Sequence, residues 1–149
     1  MAAVEELSRG ERLAGFIARM QATPFAWGGV LGVDCLMQPA DWSVELGAGD
    51  PAAPWRGTYT DEAGARTILE DAGGFVPHMA RALEPIGWCR VAAPELGDIA
   101  AIEVVTPKGR DLVGAIRNER FWIVRAVNGG VGLLRAEAVA VWTWGGGHG

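Results

Sequence analysis

The sequence predicts an α+β fold with helices first and an antiparallel β-sheet after them, and three observations carry that expectation. Apolar residues in the first half recur at helical spacing, as Leu13, Phe16, Ile17 and Met20 do. After Pro94 the chain changes to short β-branched and apolar runs separated by turns. Asn128-Gly129-Gly130 is a strong hairpin signal between two such runs. Helical patterns followed by strand patterns are the mark of an α+β arrangement.

Taken in order, residues 5–20 read as an amphipathic helix that Pro24 closes off. Gly28, Gly29 and Gly32 make a loop that cannot continue it. A second helix is expected from Cys35 to about Leu46, with Asp34 as its N-cap. Pro39 falls four residues after Cys35, where it removes one helical bond and crowds the Cys35 carbonyl, so the first turn should bend or tighten. Residues 47–59 are turn-rich and read as a packed surface loop. Thr60-Asp61-Glu62 opens a helix to about Asp71, which Gly73-Gly74 ends. Residues 75–83 form a further short helix stopped by Pro85. Strands follow at 98–105, 112–117, 121–126, 131–134 and 139–144, joined as a meander. One domain over residues 1–144 is expected, with 145–149 a flexible Gly-rich tail.

Composition limits the function classes. Half of the 149 residues are apolar, so the chain can build a core, and the net charge of −5 with scattered basic residues argues against a nucleic-acid partner. No apolar window has the length of a membrane span, and the charged N-terminus has no signal-peptide core, so the chain is expected to be made and kept in a cytoplasm or carried elsewhere as part of an assembly. Two cysteines and two histidines, Cys35, Cys89, His78 and His148, show no metal spacing, and no cofactor is expected. Seven tryptophans stand against one tyrosine. Core packing explains most of them, and a contact surface is the other reading.

The chemically pointed stretch is Phe25-x-Trp27-Gly28-Gly29, followed by Asp34-Cys35 at a helix start. Exposed N–H groups and the helix dipole there favour a thiolate. This stretch resembles the catalytic-cysteine segment of NlpC/P60 cell-wall peptidases, and Gly97-Asp98-Ile99 is similar to the motif that begins that family's sheet. A small phage and prophage branch of the family is closer still. Its Pro-Phe-x-Trp-Gly, Ala-Asp-Trp and Arg-Gly-x-Tyr motifs match Pro24–Gly28, Ala40–Trp42 and Arg56–Tyr59 in order, and Gly49-Asp50-Pro51, one residue shorter, stands at its Gly-x-Asp-Pro loop. The resemblance implies a papain-like fold, a groove loop at Trp27, Gly28 and Gly29, and Cys35 as candidate nucleophile. It also implies a place among tail-tip and hub proteins of a phage-type particle, with peptidoglycan peptides as substrate for an active member.

Such a site needs a histidine to share the thiol's proton. The family sets it at the start of the second strand, and in the matching stretch, Leu112-Val113-Gly114-Ala115-Ile116, that place is held by Leu112. A leucine accepts no proton. His78 lies in the helical half, where a solvent-facing or packed side chain is expected rather than a base for Cys35. His148 sits in the tail, and Asp111 should face the other side of its strand and raise the thiol's pKa. Leu36 replaces a small polar residue. Cys35 therefore reads as a small inert thiol more readily than as a nucleophile, and Cys89 reads as structural. The function expected is a structural or adaptor component of a tail tip on a degenerate peptidase fold. The alternative is an active cysteine peptidase that opens stem peptides during wall penetration.

Overall fold

The first helix takes its start from a reciprocal cap. In the computed structural model, which describes residues 7–145, Ser8 Oγ accepts the Glu11 N–H at 3.1 Å and Glu11 Oε1 accepts the Ser8 N–H at 3.2 Å. This capping box sets α1 at Arg9–Ala22 rather than at residue 5. Residues 5 and 6 of the expected helix, His148 and all of the expected tail but Gly145 lie outside the described residues. The helix α2 spans Met37–Glu45, two residues later than expected, so its N-cap position falls at Leu36, without a side-chain cap bond, and not at Asp34. Pro39 has no N–H for the Cys35 carbonyl, so the regular ladder begins beyond it, although Gln38 N–H still reaches the Asp34 carbonyl at 3.0 Å. The helix α3, Glu62–Asp71, is capped by Asp61, which accepts the Gly64 N–H at 2.7 Å. Gly73, at φ 95°, and Gly74 end it as expected. The helix α4, Phe75–Leu83, runs into a single 3-10 turn that contains Pro85.

Six strands follow: β1 Cys89–Val91, β2 Ile99–Thr106, β3 Gly109–Arg117, β4 Trp122–Arg125, β5 Val131–Leu134 and β6 Ala138–Thr143. They form one antiparallel sheet in the order β1-β6-β2-β3-β4-β5. The expected meander holds for β2 to β5 only. The last strand returns to the far side of β2, and the unexpected β1 pairs on it at the edge. A bulge between Ala101 and Ile102 shifts the register of β6.

One face of the sheet carries Ile99, Ala101, Ile116, Ile123, Ala140 and Trp142 into the core shared with the helices. The other gathers Ala100, Ile102, Ala115, Trp122 and Val141 into a second cluster. Trp42, Trp88, Trp122 and Trp142 are the largest fully buried side chains. Each indole N–H has an acceptor: the Gly97 carbonyl, Ser43 Oγ, the Ala136 carbonyl and Glu84 Oε2, all at 2.8–3.0 Å. Core packing thus explains four of the seven tryptophans. Arg125, at the end of β4, is buried and donates to the carbonyls of Met20, Thr23 and Val33, tying the sheet to the C-terminal end of α1.

The packing of α2 on β3 depends on a missing side chain. A Cβ at Gly114 would lie 2.9 Å from Pro39 Cγ and 3.1 Å from the Cys35 carbonyl oxygen. Gly114→Ala should therefore lower stability by about 1–3 kcal/mol, read from the urea midpoint at unchanged slope. A variant as stable as the parent would show that α2 is free to move off the strand.

Candidate functional site

Asp34 is fully buried and its carboxylate is the centre of the site. Oδ1 accepts the N–H groups of Leu36, at 2.8 Å, and Met37, at 2.9 Å. Oδ2 accepts the Gly28 N–H at 2.9 Å and the Tyr59 hydroxyl at 2.7 Å. One side chain thus joins the glycine loop, the start of α2 and the 47–59 segment. Tyr59 is buried, and burial first, then donation to Asp34, hold its hydroxyl well above the ordinary phenol value. A Cβ on Gly28, at φ 97°, would fall 2.3 Å from the Tyr59 carbonyl oxygen, so that loop position requires glycine.

A second polar centre lies beside it. Arg56 donates to Asp50 at 3.0 and 3.1 Å, to Asp41 at 2.9 Å and to the Gly29 carbonyl at 3.4 Å. Burial raises the Asp41 pKa despite the opposing pull of Arg56. The Gly57 N–H closes the ring on the Gly28 carbonyl at 2.8 Å. Trp27 is half-buried, with its ring edge-on to Phe25 at 5.0 Å.

Cys35 is free and partly buried. Burial, with the negative charge of Asp34 next, pushes its thiol up to about 12, and Asp111 and Glu62 act in the same direction. This reverses the expectation that the helix start would favour a thiolate. The physical reason is first that burial disfavours the charged form, and next that Asp34 has taken the N–H groups of Leu36 and Met37 and has added its own negative charge beside the sulfur. No hydrogen bond joins the thiol to a described imidazole. Leu112 shares the helix-facing side of β3 with Gly114 and Ile116, and lines a cleft with Leu69, Phe75 and Arg66. Asp111 alternates with Leu112 along the regular strand, and its half-exposed carboxylate pairs with Arg66 of α3 at 3.2 Å.

His78 is packed, its ring 4.6 Å from that of Trp55, and burial lowers its pKa. Cys89 is not packed as expected: β1 is an edge strand, and the thiol is exposed there. Among the described residues no group of three or more His, Cys, Asp or Glu is placed to hold a metal ion, and no described helix is long and apolar enough to cross a membrane.

A family described as a domain of unknown function, DUF6950, matches residues 7–144. The chain belongs to the DUF6950 family. No curated protein and no solved structure matches it. In this DUF6950 domain the ordered motifs of the sequence converge in space. Gly28 and Gly29, Asp34, Asp41, Asp50, Arg56 and Tyr59 make one connected network. Sequence reasoning quoted Arg56 and Tyr59 without assigning either a role. The usable signal was that a buried carboxylate just before a helix needs further donors, and Tyr59 is the single tyrosine of the chain.

Proposed function

We propose that this DUF6950 domain is a non-catalytic structural or adaptor component of a phage-type tail tip, built on a degenerate NlpC/P60-type, papain-like scaffold. The observation that carries this reading is the state of the Asp-Cys pair. Asp34 uses its whole carboxylate to hold loops and helix together, and burial, with the charge of that carboxylate next, leaves Cys35 a thiol pushed up to about 12. Leu112, at the place the resemblance gives to the histidine, offers no base. A fold that keeps the framework of a hydrolase and spends its polar residues on that framework suits assembly better than turnover.

The loop above Asp34 gives such a component a surface to bind with. Val30 and Leu31 are 69% and 86% exposed at its tip, while Gly28, Gly29 and Val33 are tied by hydrogen bonds below them. A rigid apolar tip costs little ordering entropy when a neighbouring protein covers it. The partners of this reading are other tail-tip and hub proteins, met after synthesis in a bacterial cytoplasm.

The experiment is complementation of a particle-producing strain deleted for this chain. Cys35→Ala should restore infectious particles fully, and the double variant Val30→Asp, Leu31→Asp should fold with an unchanged melting temperature yet fail to enter particles. Normal particles assembled without the chain would end the adaptor reading. Cleavage of muropeptides by the purified protein, lost in Cys35→Ala, would restore the peptidase reading.

A further inference from the structure

The strand β5 ends the sheet on one side, and only its inner edge is paired. The Ala126 N–H donates to the Gly130 carbonyl at 3.1 Å, and backbone direction alternates along an antiparallel pair from there. Gly132 and Leu134 therefore bond toward β4, opposite Val124 and Trp122, while Val131 and Leu133 turn their N–H and C=O groups outward. The Val131 N–H agrees with this, since it donates to Gln21 Oε1 of α1 at 3.2 Å. Neither group of Leu133 has a partner among the described residues, and its side chain is 54% exposed.

Free sheet edges are commonly guarded by charge, proline or a bulge. The opposite edge, β1, is three residues long and carries exposed Arg90. Val131-Gly132-Leu133-Leu134 has none of these guards. An apolar groove opens beside it. Gly10, Leu13, Ala14 and Ile17 of α1 form one wall and Arg120 and Phe121 the other, around about 380 Å³ of space. Both walls lead to β5. Gln21, one turn beyond Ile17, holds Val131, and Arg135, just past β5, sits over the Phe121 ring at 5.3 Å. Leu133 lies opposite Ile123, on the side of the sheet that faces the helices. A strand added at Leu133 would turn alternate side chains to that same side.

Charge decides what kind of strand fits. Residues 120–136 hold three arginines and no acidic residue, in a chain of net charge −5. Arg120 and Arg135 are exposed and in no ion pair among the described residues, and Glu119 is the acid on the groove's rim. The edge of a second copy would bring the same arginines with it, and like charges across a strand pair are unfavourable. We propose that β5 accepts an extended segment of another protein as an added strand. That segment carries an apolar residue for the groove and an acidic residue two positions away, on the same face, for Arg135. Main-chain bonds to Leu133 supply affinity, and the alternate side chains select the partner. The surface is separate from the Val30–Leu31 tip and does not depend on the adaptor reading.

The test is an NMR titration of the full chain with the end-capped peptide Thr-Val-Thr-Leu-Thr-Glu-Thr-Val. In the free chain the Leu133 amide should exchange with solvent much faster than those of Gly132 and Leu134. At saturation its exchange should slow by at least about tenfold, with shifts at the Gln21 side-chain amide and the Phe121 ring. Lysine in place of the peptide's glutamate should weaken binding about tenfold, and N-methylation of alternate peptide amides on the pairing edge should abolish it. Leu133→Pro removes an outward N–H and keeps the bonds to β4, so it should fold and bind at least about tenfold more weakly. Four results on the unmodified chain would overturn the proposal: a Leu133 amide as protected as Gly132 without peptide, no change at Leu133 with peptide in large excess, equal binding of the lysine peptide, or protection that grows with protein concentration alone and so assigns the edge to a second copy.

Discussion

Alkylation by iodoacetamide at pH 7 is expected to modify Cys89 readily and to leave Cys35 almost untouched, with the two rates about a hundredfold apart. A thiol pushed up to about 12 holds roughly one thiolate in 10⁵ at neutral pH, about three decades below an ordinary cysteine. The greater nucleophilicity of a more basic thiolate recovers roughly half of that on a logarithmic scale. Partial burial of Cys35 slows it further, whereas Cys89 is exposed on an edge strand. Peptide mass spectrometry reads both sites in one sample, and denaturant should bring the Cys35 rate up to that of Cys89. The Cys35 rate should also rise about tenfold per pH unit through the neutral range with no early plateau. Fast, pH-independent alkylation of Cys35 below pH 7 is the signature of an activated nucleophile, and that result would reverse the proposed function.

The same shift has a thermodynamic sign. The folded thiol is more basic than the unfolded one, so between about pH 9 and about pH 12 the unfolded chain binds fewer protons than the folded one. The contribution of Cys35 is therefore fully present below about pH 9 and is lost as pH rises toward about 12. Tyr59 is raised too and acts in the same direction. Alkaline unfolding should thus begin at a higher pH in Cys35→Ala than in the parent, with the Tyr59 part of the slope remaining.

What the sequence made legible were the features set by neighbours in the chain. The helix α4 and the strand β5 fall at their expected residues, and α3 does so because Asp61 and Gly73-Gly74 act within one turn of its ends. The features set from a distance were not legible. The short strand β1 exists because β6 returns past β2 to offer it an edge, and three residues around Cys89 carry no pattern that announces this. The site divided in the same way. Spacing located Asp34 and Cys35 at a helix start, but it could not decide which of two adjacent groups would take the free N–H donors. Geometry assigned them to the carboxylate, and burial, with that carboxylate's charge beside the sulfur, raised the thiol. Tyr59 joined Asp34 from 25 residues away, which no local pattern describes.

Asp34→Ala is expected to be the most damaging single substitution in the chain, at about 4 kcal/mol. It strands three backbone N–H donors and a phenol that are buried or partly buried, and each unmet donor costs about 1–3 kcal/mol before relaxation or water entry reduces the sum. Losses of this size are exceptional, and against a total stability of about 5–15 kcal/mol they leave a marginal domain whose melting temperature falls by roughly 10 °C. Asp34→Asn should cost about half as much. Its oxygen can still accept from Leu36 and Met37, but its NH₂ then faces the Gly28 donor. Tyr59→Phe should cost about 1 kcal/mol, and combining it with Asp34→Ala should add almost nothing, because the hydroxyl has by then lost its acceptor. Cys35→Ala, one residue away, should stay within about 1 kcal/mol of the parent, since no other described side chain bonds to the thiol. If instead the two neighbours proved equally costly, Asp34 would be an ordinary helix cap. A wide gap between them would show that the fold rests on the carboxylate of the pair and makes no demand on the sulfur.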